Sequence, residues 1–491
     1  MSFLIERADP GQVDALCAIE RQAVQLFRGH PAWASYSAMS IPPELLQQAI
    51  GRGLVWVALN EAAVPVGFVW LDTDAGDAVI GIAEIDVLPD YGRRGIGAAL
   101  LERACAWARS AGYRRVDLGT LADVPWNAPF YAKHGFAVVD KDDPAFAYAR
   151  ERDRENGFPD HLRVFMSRPL SAPDHDEWTV WPAPAKLNLF LRIIGRRPDG
   201  YHELQTVFRL LDWGDEIRLR LRDDGEVRRL GEIPGVPAHT DLVVRAAQLL
   251  QRHAGIATGA DTERAGVPTG VDIEHADASM GVDIEVSKRI PMGGGLGGGS
   301  SDAATVLVAL NRLWGLDLAE DVLAELGRQL GADVPVFVRG RSAWAEGIGE
   351  QLTPLSLPSR HYVVLDPHEP APTAALFQAS ELTRNAPRAT ISSFVSGGTT
   401  ENAFAPVVRA RHPRVAAALD WLGGFGQARL SGSGGCVFLE AKSFDRATAI
   451  AARCPAAFTA QVAMGVDVSP LRDALARHQG AERATRTTDG R

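Results

Sequence analysis

The 491-residue sequence has few cysteines and no long apolar run. Its four cysteines, Cys17, Cys105, Cys436 and Cys454, lie far apart, with no CxxC pair and no histidine at a zinc-binding spacing. This argues against a disulfide scaffold and against a structural metal site. No apolar stretch is long enough to span a bilayer, and the N-terminus lacks the basic and apolar regions of a signal peptide. We therefore expect a cytoplasmic protein with no membrane partner.

The charge balance is acidic. Lysine and arginine total 51 against 61 aspartates and glutamates, a formal net charge of −10 at pH 7. This disfavours nucleic acid as a partner, because affinity for nucleic acid depends on neutralising phosphates. A local phosphate site stays possible. We expect small-molecule substrates, and the composition does not indicate an oligomeric state.

One stretch separates two segments with different motifs. Residues 168–178, RPLSAPDHDEW, contain two prolines and three acids, which is typical of a solvated linker, although a surface loop within one domain would look similar. Residues 1–168 alternate helical and strand patterns, which predicts an α/β domain. The linker is placed at 169–177, and the polar residues 476–491 are expected to form a disordered tail.

A glycine-rich run lies between a predicted strand, 282–286, and a helix predicted to begin near residue 301. Glycines let the backbone approach a ligand closely, and successive N–H groups at a helix N-terminus bind anions. The pattern predicts a nucleotide-phosphate site, with a flexible linker as the alternative. The absence of GxxxxGK[ST] excludes a P-loop. The candidate residues are Pro291, Met292, Gly293, Gly294, Gly295, Leu296, Gly297, Gly298, Gly299, Ser300 and Ser301.

Three motifs in this order resemble the GHMP kinases. They are PAKLNL at 184–189, PMGGGLGGGSSDAA at 291–304 and RLSGSGG at 429–435, and the resemblance covers about residues 180–475. It implies a two-lobed GHMP kinase fold, with lobes at 178–330 and 331–475, that uses ATP with Mg²⁺ bound at the glycine run. RPDGYHELQTVF and LGADVPVFVRG are similar to a subfamily that acts on a cytidine-diphosphate-linked alcohol. Region 254–280 is longer than is usual in that family.

Two charged residues are the candidate catalytic groups. Asp333 lies after a predicted helix and before a predicted apolar strand, where a carboxylate either forms a turn or serves as a buried base. Lys186 lies in an apolar strand, where it needs a partner or discourages edge pairing. The resemblance implies that Asp333 is the base that accepts the hydroxyl proton and that Lys186 is its partner.

Four further residues are candidates for binding the acceptor substrate. Asn188 lies two residues after Lys186, hence on the same face of the strand. The resemblance implies that Asn188 binds the substrate diol, that Tyr201 and Phe377 stack on the cytosine, and that His202 contacts the edge of the base. From the residues alone, Tyr201 and His202 could be surface residues beside a turn, and Phe377 could belong to a core.

The N-terminal segment contains a second anion-binding pattern. A strand, a tight loop and a helix start run through EIDVLPDYGRRGIGAALL at 84–101, and this resembles motif A of the GNAT acetyltransferases. The stretch 126–136, WNAPFYAKHGF, resembles their second signature. The resemblance implies that acetyl-CoA is bound by Leu88, Arg93, Arg94, Gly95, Gly97, Ala98 and Asn127.

The same resemblance gives candidate catalytic residues for acetyl transfer. It implies that Tyr131 protonates the departing thiolate, and Glu84 is a candidate base for an amine acceptor, with a solvated strand residue as the alternative. Gly92 departs from the family pattern, which has Gln or Arg at this position. The N-terminal segment could therefore instead be a non-catalytic module that senses acyl-CoA or mediates assembly. The acceptor is not indicated by the sequence.

Overall fold

The computed structural model of the chain describes residues 3–488, apart from 74–77, 141–142, 172, 174–175, 199, 256–279 and 399. The chain divides into two compact units, one of residues 1–174 with 477–491 and the other of residues 175–476. Most of the lengthened region 254–280 and part of the predicted linker lie outside the described residues. No helix in the described part of the chain is both long and apolar enough to cross a membrane.

The first unit is built on one mixed sheet in the order β1-β2-β3-β4-β5-β7-β6. Its centre is apolar; every residue of β2, VWVAL, is buried. The strands of this sheet are β1 Leu4–Arg7, β2 Val55–Leu59, β3 Pro65–Asp72, β4 Val79–Val87, β5 Arg115–Leu121, β6 Ala137–Val138 and β7 Arg163–Pro169. The helices are α1 Val13–Ala23, α2 Trp33–Ala38, α3 Pro43–Gly51, α4 Ile96–Ser110, α5 Ala128–Lys133 and α6 Ala147–Glu155.

Strands β4 and β5 of this sheet diverge. They run parallel, but only Val79, Ile80 and Gly81 of β4 pair with β5. From residue 82 onward β4 pairs only with β3 among the described strands, and a bulge opposite Trp70 and Leu71 shifts its register. Peptide groups of β4 beyond Gly81 therefore face an opening next to the loop that leads to α4, where a ligand can hydrogen-bond to them.

The second unit is dominated by two long strands. Their apolar, β-branched and aromatic residues are buried along most of their length, as expected for central strands. The strands are β8 Thr179–Arg196, β9 His202–Arg222, β10 Val227–Leu230, β11 Gly281–Ser287, β12 Ala343–Glu346, β13 Gln351–Pro354, β14 His361–Asp366, β15 Ala428–Leu430, β16 Val437–Ala441 and β17 Thr459–Val466. Strand β9 pairs with β8, β11, β12 and β17, and β14 joins β17 to β16.

Helices pack on this sheet around several apolar clusters. Helix α8 is the most buried, with ten consecutive buried residues from Ser301 to Leu310. The helices are α7 Leu242–His253, α8 Gly298–Leu313, α9 Glu320–Leu330, α10 Val334–Arg339, α11 Thr373–Phe377, α12 Ile391–Val395, α13 Ala405–Arg411, α14 Pro413–Gly423, α15 Phe444–Ala451 and α16 Pro470–Thr488. The predicted α/β and α+β fold class is confirmed.

Two local predictions are wrong. The apolar run after Asp333 is helix α10 and not a strand, because Pro335 occupies the first helical turn and Gly340 ends the helix in a left-handed conformation. The C-terminal residues, expected to be disordered from 476, continue α16 to Thr488. There Arg477 donates to the carbonyl of Ala111 and stacks on Tyr113, and His478 is buried.

These contacts make the C-terminal residues part of the first unit. Replacing Arg477 and His478 together by alanine should lower the unfolding temperature of that unit by roughly 2–8 °C, because a buried ring and a cation–π contact are lost. Scanning calorimetry of the full chain, with limited proteolysis to show which unit opens, measures this. Arg453→Ala, which removes the stacking of Arg453 on Phe425 in the second unit, is the control. An unchanged first-unit transition would contradict the prediction.

Candidate active sites

The glycine run forms a tight loop between β11 and α8. Gly293, Gly295 and Gly297 all have positive φ, and Gly297 is the N-cap of α8. The loop therefore requires glycine at these positions. Its backbone lines a cavity of about 1160 Å³ together with Ser300, whereas Ser301 is fully buried within the helix.

The C-terminal glycine motif packs directly against this loop. A Cβ added at Gly295 would lie 2.1 Å from the carbonyl oxygen of Ser431, and one added at Gly434 would lie 2.0 Å from the Gly295 nitrogen. Ser431 Oγ donates to the carbonyl of Gly295 at 3.0 Å, and Cys436 N donates to the carbonyl of Gly294 at 3.0 Å. Two motifs far apart in the sequence thus form one rigid backbone cradle.

Lys186 connects the first motif to the same cradle. It is 3% exposed, and its Nζ donates to Asn188 Oδ1 at 2.6 Å and to the carbonyl of Gly295 at 3.0 Å. Asn188 in turn donates from Nδ2 to Thr206 at 2.9 Å. The buried ammonium is therefore fully partnered, as a charge in the interior must be.

Asp333 is the carboxylate that Lys186 faces. The distance from Lys186 Nζ to Asp333 Oδ2 is 3.3 Å, and the Asp333 side chain is one third exposed to the cavity. Asp333 is the N-cap residue of α10, yet its side chain makes no capping hydrogen bond. The carboxylate is thus directed to the lysine and the cavity rather than to a turn.

The other end of the cavity carries the predicted cytosine-binding residues. His202 and Phe377 stack on each other with ring centroids 4.8 Å apart, and Tyr201 is 60% exposed at the cavity wall. His202 Nε2 is buried and has no hydrogen-bond partner among the described residues. Burial lowers the pKa of His202, and the positive charges of Arg384 and Arg196 lower it further. A neutral imidazole is therefore available at the cavity wall.

A charged cluster beside the glycine loop was missed by sequence reasoning. Lys288 Nζ lies 2.5 Å from Asp215 Oδ2 and 2.8 Å from Asp302 Oδ2, and both Lys288 and Asp302 line the cavity. Burial and the negative charge of Asp215 raise the pKa of Asp302 well above its usual value. The only sequence signal was a lysine just before the glycine run and an aspartate just after it.

In the first unit, the second glycine motif forms the predicted loop between β4 and α4. Gly95 is the N-cap of α4 with a φ of 84°, and Arg93 also has positive φ. Arg94 donates to the carbonyl of Asp90 and stacks on Tyr91, so its side chain folds over the loop. Leu88 N donates to Val66 at the start of the loop, and Gly97 and Ala98 lie in the first turn of α4.

Of the residues predicted for acetyl transfer, Glu84 lies on β4 beyond Gly81, where β4 no longer pairs with β5. Asn127 is the N-cap residue of α5 and makes no capping bond with its side chain, and Tyr131 lies within α5. Burial raises the pKa of Tyr131, and the negative charges of Glu84 and Asp86 raise it further. The phenol therefore keeps its proton. Asp86 was not among the predicted site residues.

Family models match both halves of the chain. Residues 241–341 match the N-terminal domain of the GHMP kinases and residues 391–460 match their C-terminal domain. Residues 25–136 match the acetyltransferase (GNAT) family. Both predicted resemblances are confirmed.

Individual proteins are similar to the second half of the chain. A 4-diphosphocytidyl-2-C-methyl-D-erythritol kinase of Xanthomonas euvesicatoria is 57% identical over 300 residues, which are 61% of this chain and 94% of that protein. One of Xylella fastidiosa is 53% identical over 299 residues, 61% of this chain and 93% of that protein. A crystal structure of 4-(cytidine 5'-diphospho)-2C-methyl-D-erythritol kinase is 32% identical, with a TM-score of 0.48, and covers 59% of this chain and 100% of that one.

Sequence, family models and site geometry agree on the assignment. The identity extends over nearly the whole length of these relatives. In this chain, the three motifs that resemble the GHMP kinases meet around one cavity. The chain is an enzyme that belongs to the 4-diphosphocytidyl-2-C-methyl-D-erythritol kinases of the GHMP family, with a GNAT acetyltransferase domain at its N-terminus.

Proposed function

We propose that the second unit transfers the γ-phosphoryl group of ATP to the 2-hydroxyl of 4-diphosphocytidyl-2-C-methyl-D-erythritol, a step of the non-mevalonate route to isoprenoid precursors. The main support for this proposal is the ion pair beside the glycine cradle, in which Lys186 Nζ lies 3.3 Å from Asp333 Oδ2. Phosphoryl transfer needs positioning, charge neutralisation and a proton acceptor, and these residues provide all three within one cavity.

Each side chain then has a defined role. The hydroxyl oxygen attacks the γ-phosphorus, the bond from that phosphorus to the bridging oxygen breaks, and the hydroxyl proton passes to Asp333. Lys186 holds the Asp333 carboxylate in place and stabilises the charge that develops on the acceptor oxygen. Asn188, fixed by Lys186 and Thr206, is placed to hydrogen-bond the diol.

The cradle residues 291–300 would hold the phosphates of ATP. Their N–H groups and the N-terminus of α8 favour negative charge. Mg²⁺ would enter with ATP as part of the substrate, and the hydroxyl of Ser300, which lines the cavity, is an oxygen donor of the kind that Mg²⁺ prefers.

Tyr201, His202 and Phe377 would bind the cytosine. His202 stacks on one face of the Phe377 ring, so a base bound against that face requires the imidazole to turn toward the edge of the base. The buried, unpartnered Nε2 would then gain a hydrogen bond.

The KM for the cytidine substrate should depend on the protonation of His202. Because the pKa of His202 is lowered, the imidazole stays neutral at pH 7, and KM should stay flat until the pH falls below the ordinary histidine range of about 6.5 and then rise. Steady-state kinetics between pH 5 and 8 measure this. His202→Ala should raise KM and abolish the rise, while the exposed control His253→Ala should keep the wild-type profile. A rise in KM already near pH 7.5 would contradict the assignment.

The kinase proposal is tested with purified full-length protein, ATP and Mg²⁺. The diphosphocytidyl substrate should be phosphorylated, with the product located at the 2-hydroxyl by phosphorus NMR. Free methylerythritol without the cytidine group, offered at the same concentration, should be a poor acceptor because it cannot use the cytosine-binding end of the cavity. Equal rates for the two alcohols would contradict the proposed substrate.

We also propose that the first unit transfers an acetyl group from acetyl-CoA to an amine. The opening between β4 and β5, next to the loop at Gly95, is the observation that carries this. The amine nitrogen attacks the thioester carbon, the C–N bond forms and the C–S bond breaks. The amine proton passes to Glu84, and the thiolate takes the proton of Tyr131. Glu84 then loses its proton to solvent, and Tyr131 regains one from solvent.

Binding of acetyl-CoA to the full-length protein tests the first part of this proposal. Acetyl-CoA should raise the unfolding temperature of the first unit and leave that of the second unchanged, because a ligand stabilises only the unit that binds it. Release of free CoA thiol in the presence of amines tests transfer. Stabilisation without thiol release from any amine would indicate a unit that binds acetyl-CoA without transferring its acetyl group.

A further inference from the structure

Three carboxyl groups of the first unit, one buried and two half-buried, lie on elements that pack together. Glu84 and Asp86 alternate along β4 and so lie on the same face of the strand, which α1 packs against, and α1 carries Glu20. Burial raises the pKa of Asp86, and the negative charges of Glu84 and Glu20 raise it further. The three acids are therefore neighbours, and Glu84 and Asp86 also act electrostatically on the Tyr131 hydroxyl.

Two of these acids have buried oxygens without a hydrogen-bond partner among the described residues. Glu20 is only 5% exposed, and although the Ile41 backbone N–H donates to its carboxyl, Oε2 has no partner. Asp86 Oδ2 is likewise buried and unpartnered. Burying ionised carboxyl groups in this way is unfavourable unless a cation or a hydrogen-bond donor joins them, and burial accordingly raises the pKa of both Glu20 and Asp86.

Neither of the two nearby arginines in the described part of the chain fills this role. Arg163 binds Asp153 with two hydrogen bonds, of 2.7 and 3.1 Å, and also reaches the Tyr36 hydroxyl. Arg21 acts on Glu20 but lies on the exposed face of α1. A bound molecule that carries positive charge would therefore stabilise these acids in their ionised form.

A cluster of aromatic rings extends from Tyr36, which is a neighbour of these acids. Burial raises the pKa of Tyr36, and the negative charges of Glu84 and Asp86 raise it further. The Tyr36 ring stacks on Phe27 with ring centroids 4.4 Å apart. Trp126, which is half exposed, lies 6.2 Å from Phe27. Such rings accommodate methylene groups and attract an ammonium group to their faces.

We propose that the acceptor of the first unit is an aliphatic diamine or polyamine, with its reacting amine at Glu84 and a second ammonium group at Glu20 and Asp86. This inference rests on the acetyl transfer proposed above. A monoamine has a single nitrogen, which must be neutral to attack the thioester at Glu84. It therefore cannot also supply the ammonium group at Glu20 and Asp86. A carboxylate on the acceptor would face like charges and be rejected.

Three acceptors of equal chain length test the proposal on the full-length protein. They are 1,4-diaminobutane, 1-aminobutane and 4-aminobutanoate, each supplied with acetyl-CoA while free thiol is measured. We expect kcat/KM for the diamine to exceed that for the monoamine by at least tenfold, and 4-aminobutanoate to be the poorest acceptor. A monoamine that matches the diamine, or a preference for 4-aminobutanoate, would overturn the proposal.

Variants locate the second ammonium group. Glu20→Gln and Asp86→Asn should each reduce the preference for the diamine over the monoamine about tenfold, while KM for acetyl-CoA stays unchanged. The exposed Glu44→Gln is the matched control. Both variants should unfold at a temperature close to that of the wild type, because each amide keeps the shape of a carboxyl group whose pKa is already raised by burial, so loss of preference would not reflect misfolding. An unchanged preference in both variants would overturn the assignment.

Calorimetry separates this inference from the transfer proposal. Titrating 1,4-diaminobutane into the full-length protein without acetyl-CoA should show binding that weakens in Glu20→Gln. If thiol is never released but this binding is found, the transfer proposal fails and the cation site stands. If thiol is released from other amines and no diamine binding is found, the cation site fails alone.

Discussion

Replacing Asp333 with asparagine should reduce phosphoryl transfer by about 10²–10⁴-fold while leaving ATP binding intact, since this is the usual contribution of a general base. The asparagine keeps the shape of the side chain but cannot accept the hydroxyl proton. It also leaves Lys186 bonded to Asn188 and Gly295, so the cradle should stay assembled. Single-turnover kinetics measure the chemical step, and the stabilisation of the protein by ATP measures binding.

A matched substitution separates the base from a general loss of negative charge. Asp321→Asn removes an acid from the same unit, where its exposed carboxylate pairs with Arg339 at the surface. Its turnover should stay within twofold of the wild type. Near wild-type turnover of Asp333→Asn under single-turnover conditions would show that Asp333 is not the base.

Gly295→Ala should abolish productive ATP binding and lower kcat/KM by at least about 10²-fold, the usual cost of misplacing reacting groups by an ångström. Gly295 has a φ of 78°, and a Cβ there would lie 2.1 Å from the backbone oxygen of Ser431 and 2.7 Å from the nitrogen of Gly434. These are backbone atoms, so the two glycine loops must separate to admit one methyl group. The KM for ATP and the thermal stabilisation by ATP both measure the effect.

Gly423→Ala is the control for this change. It makes the same substitution at the end of α14 in the same unit, where a Cβ would meet nothing within 4 Å. It should leave kinetics and stability near those of the wild type. If Gly295→Ala behaved like Gly423→Ala, the close contact of the two loops would not be required for ATP binding.

Local sequence patterns predicted the glycine cradle well. The run from Pro291 to Ser300 is contiguous and rich in glycine between a strand and a helix, so a tight loop at a helix N-terminus could be predicted without knowledge of the fold. The same applies to the loop from Leu88 to Gly95. By contrast, α10 was predicted as a strand, because a short buried apolar run does not show whether it is helix or strand.

The remaining errors concern contacts between distant residues. The polar composition of the C-terminus suggested disorder, but Arg477 and His478 find partners at Tyr113 and Gly112, which no local pattern could indicate. Asp86 and Glu20 were not predicted as site residues for the same reason. Each is an ordinary acid in its own segment, and only the packing of α1 against β4 places them together.

By itself, the sequence determined the two families, the two glycine loops that precede helices and the residue types available for catalysis, because these depend on short contiguous motifs. The tertiary structure decided how Lys186 meets both Asp333 and the carbonyl of Gly295, how the 429–435 loop closes on the glycine run, and which acids are buried without a partner. The physical reason is that burial and the pairing of charges are set by the packing of elements distant in sequence, whereas turn geometry and backbone anion binding are set by neighbouring residues.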